Sequence, residues 1–141
     1  MKKGIALVVI GILLTSCNVK PQEINYGEDA CHYCSMTIVD RQHSAELVTD
    51  KGKAFKFDAI ECMIHHLEET TTPMAFYLVA DYFKPGEFID ANNATFIISP
   101  NIPSPMRANL SAIKLKEKAI SLQAEKGGSL YTWDELLTYF E

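Results

Sequence analysis

Apolar and polar residues alternate in short runs along residues 37–57. "AELVT" (45–49) and "AFKF" (54–57) have the period of two expected of strands lying on a core. Asp50-Lys51-Gly52-Lys53 between them is a turn signal, so the segment reads as a β-hairpin with Phe55 and Phe57 on one face and Lys56 on the other. The period then changes. In "DAIECMIHHLEE" (58–69), Ile60, Met63, Ile64 and Leu67 recur at i, i+3, i+4 and i+7, the buried stripe of a helix. Asp58 is placed to cap that helix, Glu61 to complete a capping box, and Pro73 to stop the chain beyond it. Cys62, His65 and His66 fall off the centre of the stripe, and Cys62 and His66, four apart, are surface neighbours.

"MAFYLVADYF" (74–83) and "ATFIIS" (94–99) read as strands joined by "KPGEFIDANN". "PNIPSPM" (100–106) holds three prolines and is irregular, which puts Met106 on a stiff loop. The tail "AISLQAEKGGSLYTWDELLTYF" then repeats the order of "SAELVTDKGKAFKFDAIECMIHHL": strand, Lys-Gly turn, short strand, capped helix. Thr132 and Glu135 have capping-box spacing, and Leu136, Leu137 and Phe140 form the stripe. The predicted fold is α+β, a pseudo-repeat of two similar strand-strand-helix units. The first occupies residues 31–99 and the second, a hairpin-helix unit, residues 100–141. Each unit carries a sulfur-bearing loop ahead of its hairpin, and the two loops are expected to meet across a pseudo-symmetric cleft.

The start of the chain follows another logic. "MKK" and the apolar "GIALVVIGILL" make a signal peptide over residues 1–16, too short to span a bilayer comfortably. "LTSC" resembles the lipobox of bacterial lipoproteins, which makes Cys17 the lipidated residue and lipid bilayer a partner. Asn18, rather than aspartate, follows it, which favours the outer membrane with the domain facing the periplasm. Residues 17–30, polar with Pro21 and Gly27, read as the lipidated tether.

The formal charge is -5, and loss of Lys2 and Lys3 with the leader makes the balance more acidic. Nucleic acid is therefore not expected as a partner, since phosphate binding needs basic patches. With Cys17 acylated, Cys31, Cys34 and Cys62 remain, an odd number that forbids a complete disulfide framework within one chain. In an oxidising compartment at least one thiol stays free, or a bound metal guards all three.

"CHYCSM" (31–36) concentrates the chemistry. Four readings stand: a static Cys31–Cys34 disulfide, a redox dithiol, half of a zinc site completed by Cys62 with His65 or His66, or a soft-metal site. Only the last uses Met36. Copper(I) prefers thiolate and thioether sulfur and accepts few ligands. On extended backbone, Cys34 and Met36 point the same way. These two are the first candidate ligands. Cys31 is a supplementary ligand or a disulfide partner, and His32 supplies an available imidazole. Met106 is an exposed thioether, and Cys62 is a ligand or a buried inert thiol. No nucleophilic triad, phosphate-cradling glycine loop or carboxylate pair appears, so an enzyme is not expected.

The ordered set "CHYCSM", "FDAIECM" and "IDANNATFIISPNIPSPM" resembles the NosL family over nearly all of the chain from residue 28. The resemblance implies a lipoprotein copper chaperone that binds Cu(I) and serves a cuproenzyme or its assembly factors in nitrous oxide reductase maturation. It also implies a two-unit α/β fold shared with an organomercury lyase domain. Cys34 and Met36 match the family's Cys-x-Met, Cys62 and Met63 its second cysteine-methionine pair, and Met106 its proline-methionine loop. Ser35 and Arg107 stand where the family pattern has glycine, and Lys51-Gly52 where it has Asp-Gly. The alternative reading is a thiol–disulfide protein that keeps copper sites or partner cysteines reduced.

Overall fold

A computed structural model describes residues 18–141; the expected signal peptide and Cys17 lie outside the described residues. The hairpin forms as the alternation predicts, with β1 (Ala45–Thr49) antiparallel to β2 (Ala54–Phe57) and Ala45 opposite Phe57. Helix α1 (Ile60–Glu69) follows directly and buries Ile60, Met63 and Ile64. Its N-cap is Ala59, which makes no side-chain cap bond, so Asp58 and Glu61 do not form the expected capping box. Both carboxylates are taken up by tertiary contacts instead.

Strand β3 (Met74–Asp81) returns antiparallel to β1. The stretch expected to be a connection contains a strand, β4 (Lys84–Asp90), paired with β3. Its Pro85 and Gly86 disguise it, and proline is tolerated in a strand that need not donate at that position. After β5 (Thr95–Ile98) and the proline loop comes β6 (Leu110–Ile113). The expected strand at residues 119–125 is instead part of helix α2 (Lys116–Lys126). That helix buries only Ala119 and Leu122, so its apolar stripe is too thin to show in the sequence. Strand β7 (Ser129–Tyr131) and helix α3 (Trp133–Phe140) close the chain, and Thr132 and Glu135 form the capping box their spacing predicts.

The strands make one seven-stranded sheet in the order β2-β1-β3-β6-β5-β7, with β4 on β3. In each half a central first strand is flanked by two antiparallel neighbours, β2-β1-β3 and β6-β5-β7, with a helix between the second and third strands. This correspondence pairs α1 with α2 rather than with α3, a different offset from the one the sequence pattern suggests. The halves join through β3 and β6, which pair in parallel at Asp81 and Ala112.

Side-chain alternation separates two cores. Leu47, Phe57, Val79, Phe96 and Ala112 pack with α1 and with Trp133 and Leu136 of α3. Ile97 and Ile113, their neighbours in sequence, pack on the opposite face with Ala119 and Leu122 of α2. The expected tether is docked from Gln22 onward. The Gln22 N–H donates to Glu46 Oε1 (2.7 Å), Ile24 is buried, and Tyr26 Oη lies 2.8 Å from Ser44 Oγ. No helix among the described residues is long and apolar enough to cross a membrane.

Candidate metal centre

Three segments converge at the N-terminal end of α1. The first is the loop carrying Cys31 and Cys34. Ala30 bridges Thr37, the Cys31 N–H donates to the Met36 carbonyl (2.7 Å), and the Ser35 N–H donates to the Cys31 carbonyl (2.9 Å). The loop is thus a closed turn, and the His32 N–H ties it to the Lys56 carbonyl of β2 (2.8 Å). The second segment is the end of β2, which delivers Asp58. The third is the first turn of α1, which carries Cys62.

The thiols of Cys31, Cys34 and Cys62 and a carboxylate oxygen of Asp58 all lie within 4.8 Å of one another. All three cysteines are free thiols. Cys31 and Cys62 are 2% and 1% exposed and Asp58 is buried, while Cys34 is half-buried. The cluster therefore opens toward solvent on the Cys34 side. The Cys34 thiol donates to Asp58 Oδ1 (3.4 Å), and the buried Asp58 Oδ2 has no partner.

The thiols are not equivalent. A hydrogen bond from Cys62 is the main cause that lowers the Cys31 thiol to about 6, against its burial, which acts the other way. Burial pushes Cys34 up to about 11, with the Cys31 and Asp58 charges adding to it. Donation to Cys31, then burial, raises Cys62. Of the three, Cys31 is the thiol that loses its proton most readily, and it lies beside Cys62 and the Asp58 side chain. A buried carboxylate oxygen without a donor and three converging sulfurs fit a soft cation, because such a cation supplies the charge that buried anions otherwise lack.

The structure thus brings together Cys31, Cys34 and Cys62 of the sequence candidates. Met36 lies in the same turn, but its neighbour Ser35 has φ 66, so the backbone there is not extended and strand alternation does not set Cys34 and Met36 on one side as expected. Met36 is 51% exposed and Met106 38%. The His32 ring packs against Phe55 (centroids 4.5 Å apart) and edge-on to His66 (4.9 Å), outside the four-donor cluster. Burial, then the neighbouring His32, holds His66 below its ordinary value.

Asp58 is the member the sequence reading missed. Its position before a helix gave it a complete local explanation as a cap. The signal that points past that explanation is its place four residues before Cys62, in the family-like Phe-Asp-x-x-x-Cys-Met. Glu61 was missed for the same reason.

One other constellation has the residue types of a catalytic site. His43 Nδ1 lies 3.0 Å from Asp40 Oδ2, and its Nε2 lies 3.0 Å from Ser111 Oγ. This is the order of a hydrolase triad. Ser111, however, is fully buried in β6 and His43 is buried with it, so no substrate reaches the hydroxyl. The chain links the entry of β1 to β6, across the seam between the two halves.

The fold and the cluster define a class: an α+β protein of two like-connected halves with a half-open thiol–carboxylate centre. The NosL family matches residues 21–139, and the chain belongs to that family. The crystal structure of the copper chaperone NosL from Shewanella denitrificans is similar to it, with a TM-score of 0.73 and 25% identity, covering 83% of this chain and 95% of that one. No curated protein matches. The likeness is to a chaperone and not to an enzyme, in keeping with the inaccessible Ser111.

Proposed function

We propose that this chain binds Cu(I) at the Cys31–Cys34–Cys62 cluster, with the thioethers of Met36 and Met106 at its open side, and delivers the ion to a cuproenzyme maturation pathway. The observation that carries this reading is the convergence of three thiols and the Asp58 carboxylate within 4.8 Å. The lowered Cys31 thiol gives up its proton to an entering ion more readily than its neighbours do and so supplies its first ligand. Cys34, the half-buried member, is where an acceptor's sulfur can approach and replace a ligand without the core opening. Thioethers need no deprotonation and do not form disulfides, so they remain available outside the cytoplasm.

The client in this reading is the maturation pathway of nitrous oxide reductase, in line with the family. The chain works as a lipoprotein acylated at Cys17, anchored to the outer membrane and facing the periplasm. The lipobox-like "LTSC" supports the acylation, and Asn18 after it supports the outer membrane.

The test is a titration of the reduced protein, without its leader, with Cu(I) against a competing chelator. One-to-one submicromolar binding that Cys34→Ala abolishes and Met36→Ala weakens supports the reading. Wild-type protein that leaves Cu(I) with the chelator ends it.

A second reading draws on the same lowered Cys31 thiol beside an accessible Cys34: a thiol–disulfide protein that keeps copper sites or partner cysteines reduced. Thiol exchange lost in Cys34→Ala, with Cu(I) affinity unchanged in Met36→Ala, favours it.

A further inference from the structure

Glu61 is a buried carboxylate that the thiol centre does not use. It sits in the first turn of α1, one residue before Cys62, and is 3% exposed. Its Oε1 accepts from the Ser104 hydroxyl (2.7 Å) and from the Ala108 N–H (3.2 Å). These two donors bracket Met106. Ser104 is in turn the hub of the loop: its hydroxyl oxygen accepts from the Asn109 N–H (3.0 Å), and its carbonyl accepts from the Arg107 N–H (3.0 Å).

Arg107 has φ 67, a region that costs a side-chain-bearing residue energy, while Asn109 at φ 56 is of a type that enters it more readily. Bonds to Ser104 within the loop hold both residues, and Glu61 is the contact from α1 that adds to them. Its Oε2 is buried without a partner, so the carboxylate is kept there against a desolvation cost.

We propose that Glu61 is the positioning residue for Met106: it fixes the proline loop on the first turn of α1 and so presents the thioether at a set place relative to Cys62. The inference rests on the copper reading above for its purpose, but not for its geometry. Glu61 itself is not a ligand in this proposal. It acts through the loop, and the methionine is the group that meets the ion or its acceptor.

The experiment follows the Met106 methyl resonance in protein labelled at the methionine methyls, in wild type, Glu61→Ala, Glu61→Gln and Ser104→Ala. Met106→Ala assigns the signal. The metal-free protein is read first, then the protein titrated with Cu(I). Glu61→Ala is expected to move the Met106 signal to the position of a freely rotating methionine. Glu61→Gln, which keeps an acceptor oxygen at Oε1, is expected to restore it. Ser104→Ala leaves α1 intact and removes both the Glu61 contact and the Asn109 bond, so an unmoved Met106 signal in it counts against the proposal even where Glu61→Ala does not fold.

With Cu(I), Glu61→Ala and Met106→Ala are each expected to weaken binding by about tenfold, and the double variant no further, since residues that act as one unit are non-additive. A Met106 resonance unmoved in both Glu61→Ala and Ser104→Ala overturns the proposal, as do losses that multiply in the double variant. Failure of the copper reading is a separate result: wild type then binds no Cu(I), while the metal-free spectra still decide what Glu61 does.

Discussion

Ser35 and Arg107 adopt the same left-handed backbone, with φ of 66 and 67, and each is bonded directly to an exposed methionine, Ser35 before Met36 and Arg107 after Met106. They are also two positions at which the resemblance read from the sequence leads one to expect glycine. The conformation accounts for the glycine, which reaches that region without a Cβ penalty. Ser35→Gly and Arg107→Gly should therefore each stabilise the protein, by about 0.5 kcal/mol once the glycine's greater unfolded-state entropy is subtracted. Ser35→Val, a branched residue in the same place, should destabilise it. Urea midpoints of the reduced proteins measure all three.

The thiol centre makes the stability of the metal-free protein depend on pH in two opposite ways. Cys31 is depressed to about 6 from an ordinary 9.0, so between these values the unfolded chain holds a proton that the folded protein has lost. Its contribution is fully present above 9.0 and is lost as pH falls through about 6. Cys34 is raised from 9.0 to about 11, so its contribution is present below 9.0 and is lost as pH rises toward about 11. Denaturant unfolding under reducing, metal-free conditions should show stability rising from about 6 to 9 and falling beyond. Cys31→Ser should remove the rise, and an unchanged profile in that variant contradicts the assignment.

Ser111→Ala should act on the seam and not on the metal. It leaves the buried His43 Nε2 without its partner, a loss of about 1–3 kcal/mol. The expected result is a lower urea midpoint with Cu(I) affinity and thiol reactivity unchanged. Wild type should show no ester hydrolysis that Ser111→Ala removes, because the hydroxyl is fully buried.

What the sequence made legible was whatever is decided locally. The β1–β2 hairpin, the stripe of α1 and the Thr132 capping box depend on neighbours within a few residues, and each stands where the pattern puts it. Helix α2 was hidden because a helix that buries two small patches of side chain carries little period, and a Lys-Gly-Gly stretch behind it mimicked a hairpin turn. Strand β4 was hidden by Pro85 and Gly86. At the site, the three cysteines were visible as residue types, but their meeting was not. Cys62 lay off the centre of the apolar stripe and read more readily as a buried inert thiol than as a ligand. Asp58 and Glu61 already had a sufficient local role as cap and capping-box partner, and tertiary contacts to Cys34 and to Ser104 overrode it.

The docking of Gln22 onto Glu46 puts four described residues, Asn18 to Pro21, between that contact and position 17. Fully extended, four residues reach about 14 Å. Were position 17 held at a membrane, as proposed, the domain would stay within that span of its surface. An acceptor of the proposed copper would then have to be met at that surface, and a flexible spacer inserted after residue 21 would widen the territory in which the two could find each other.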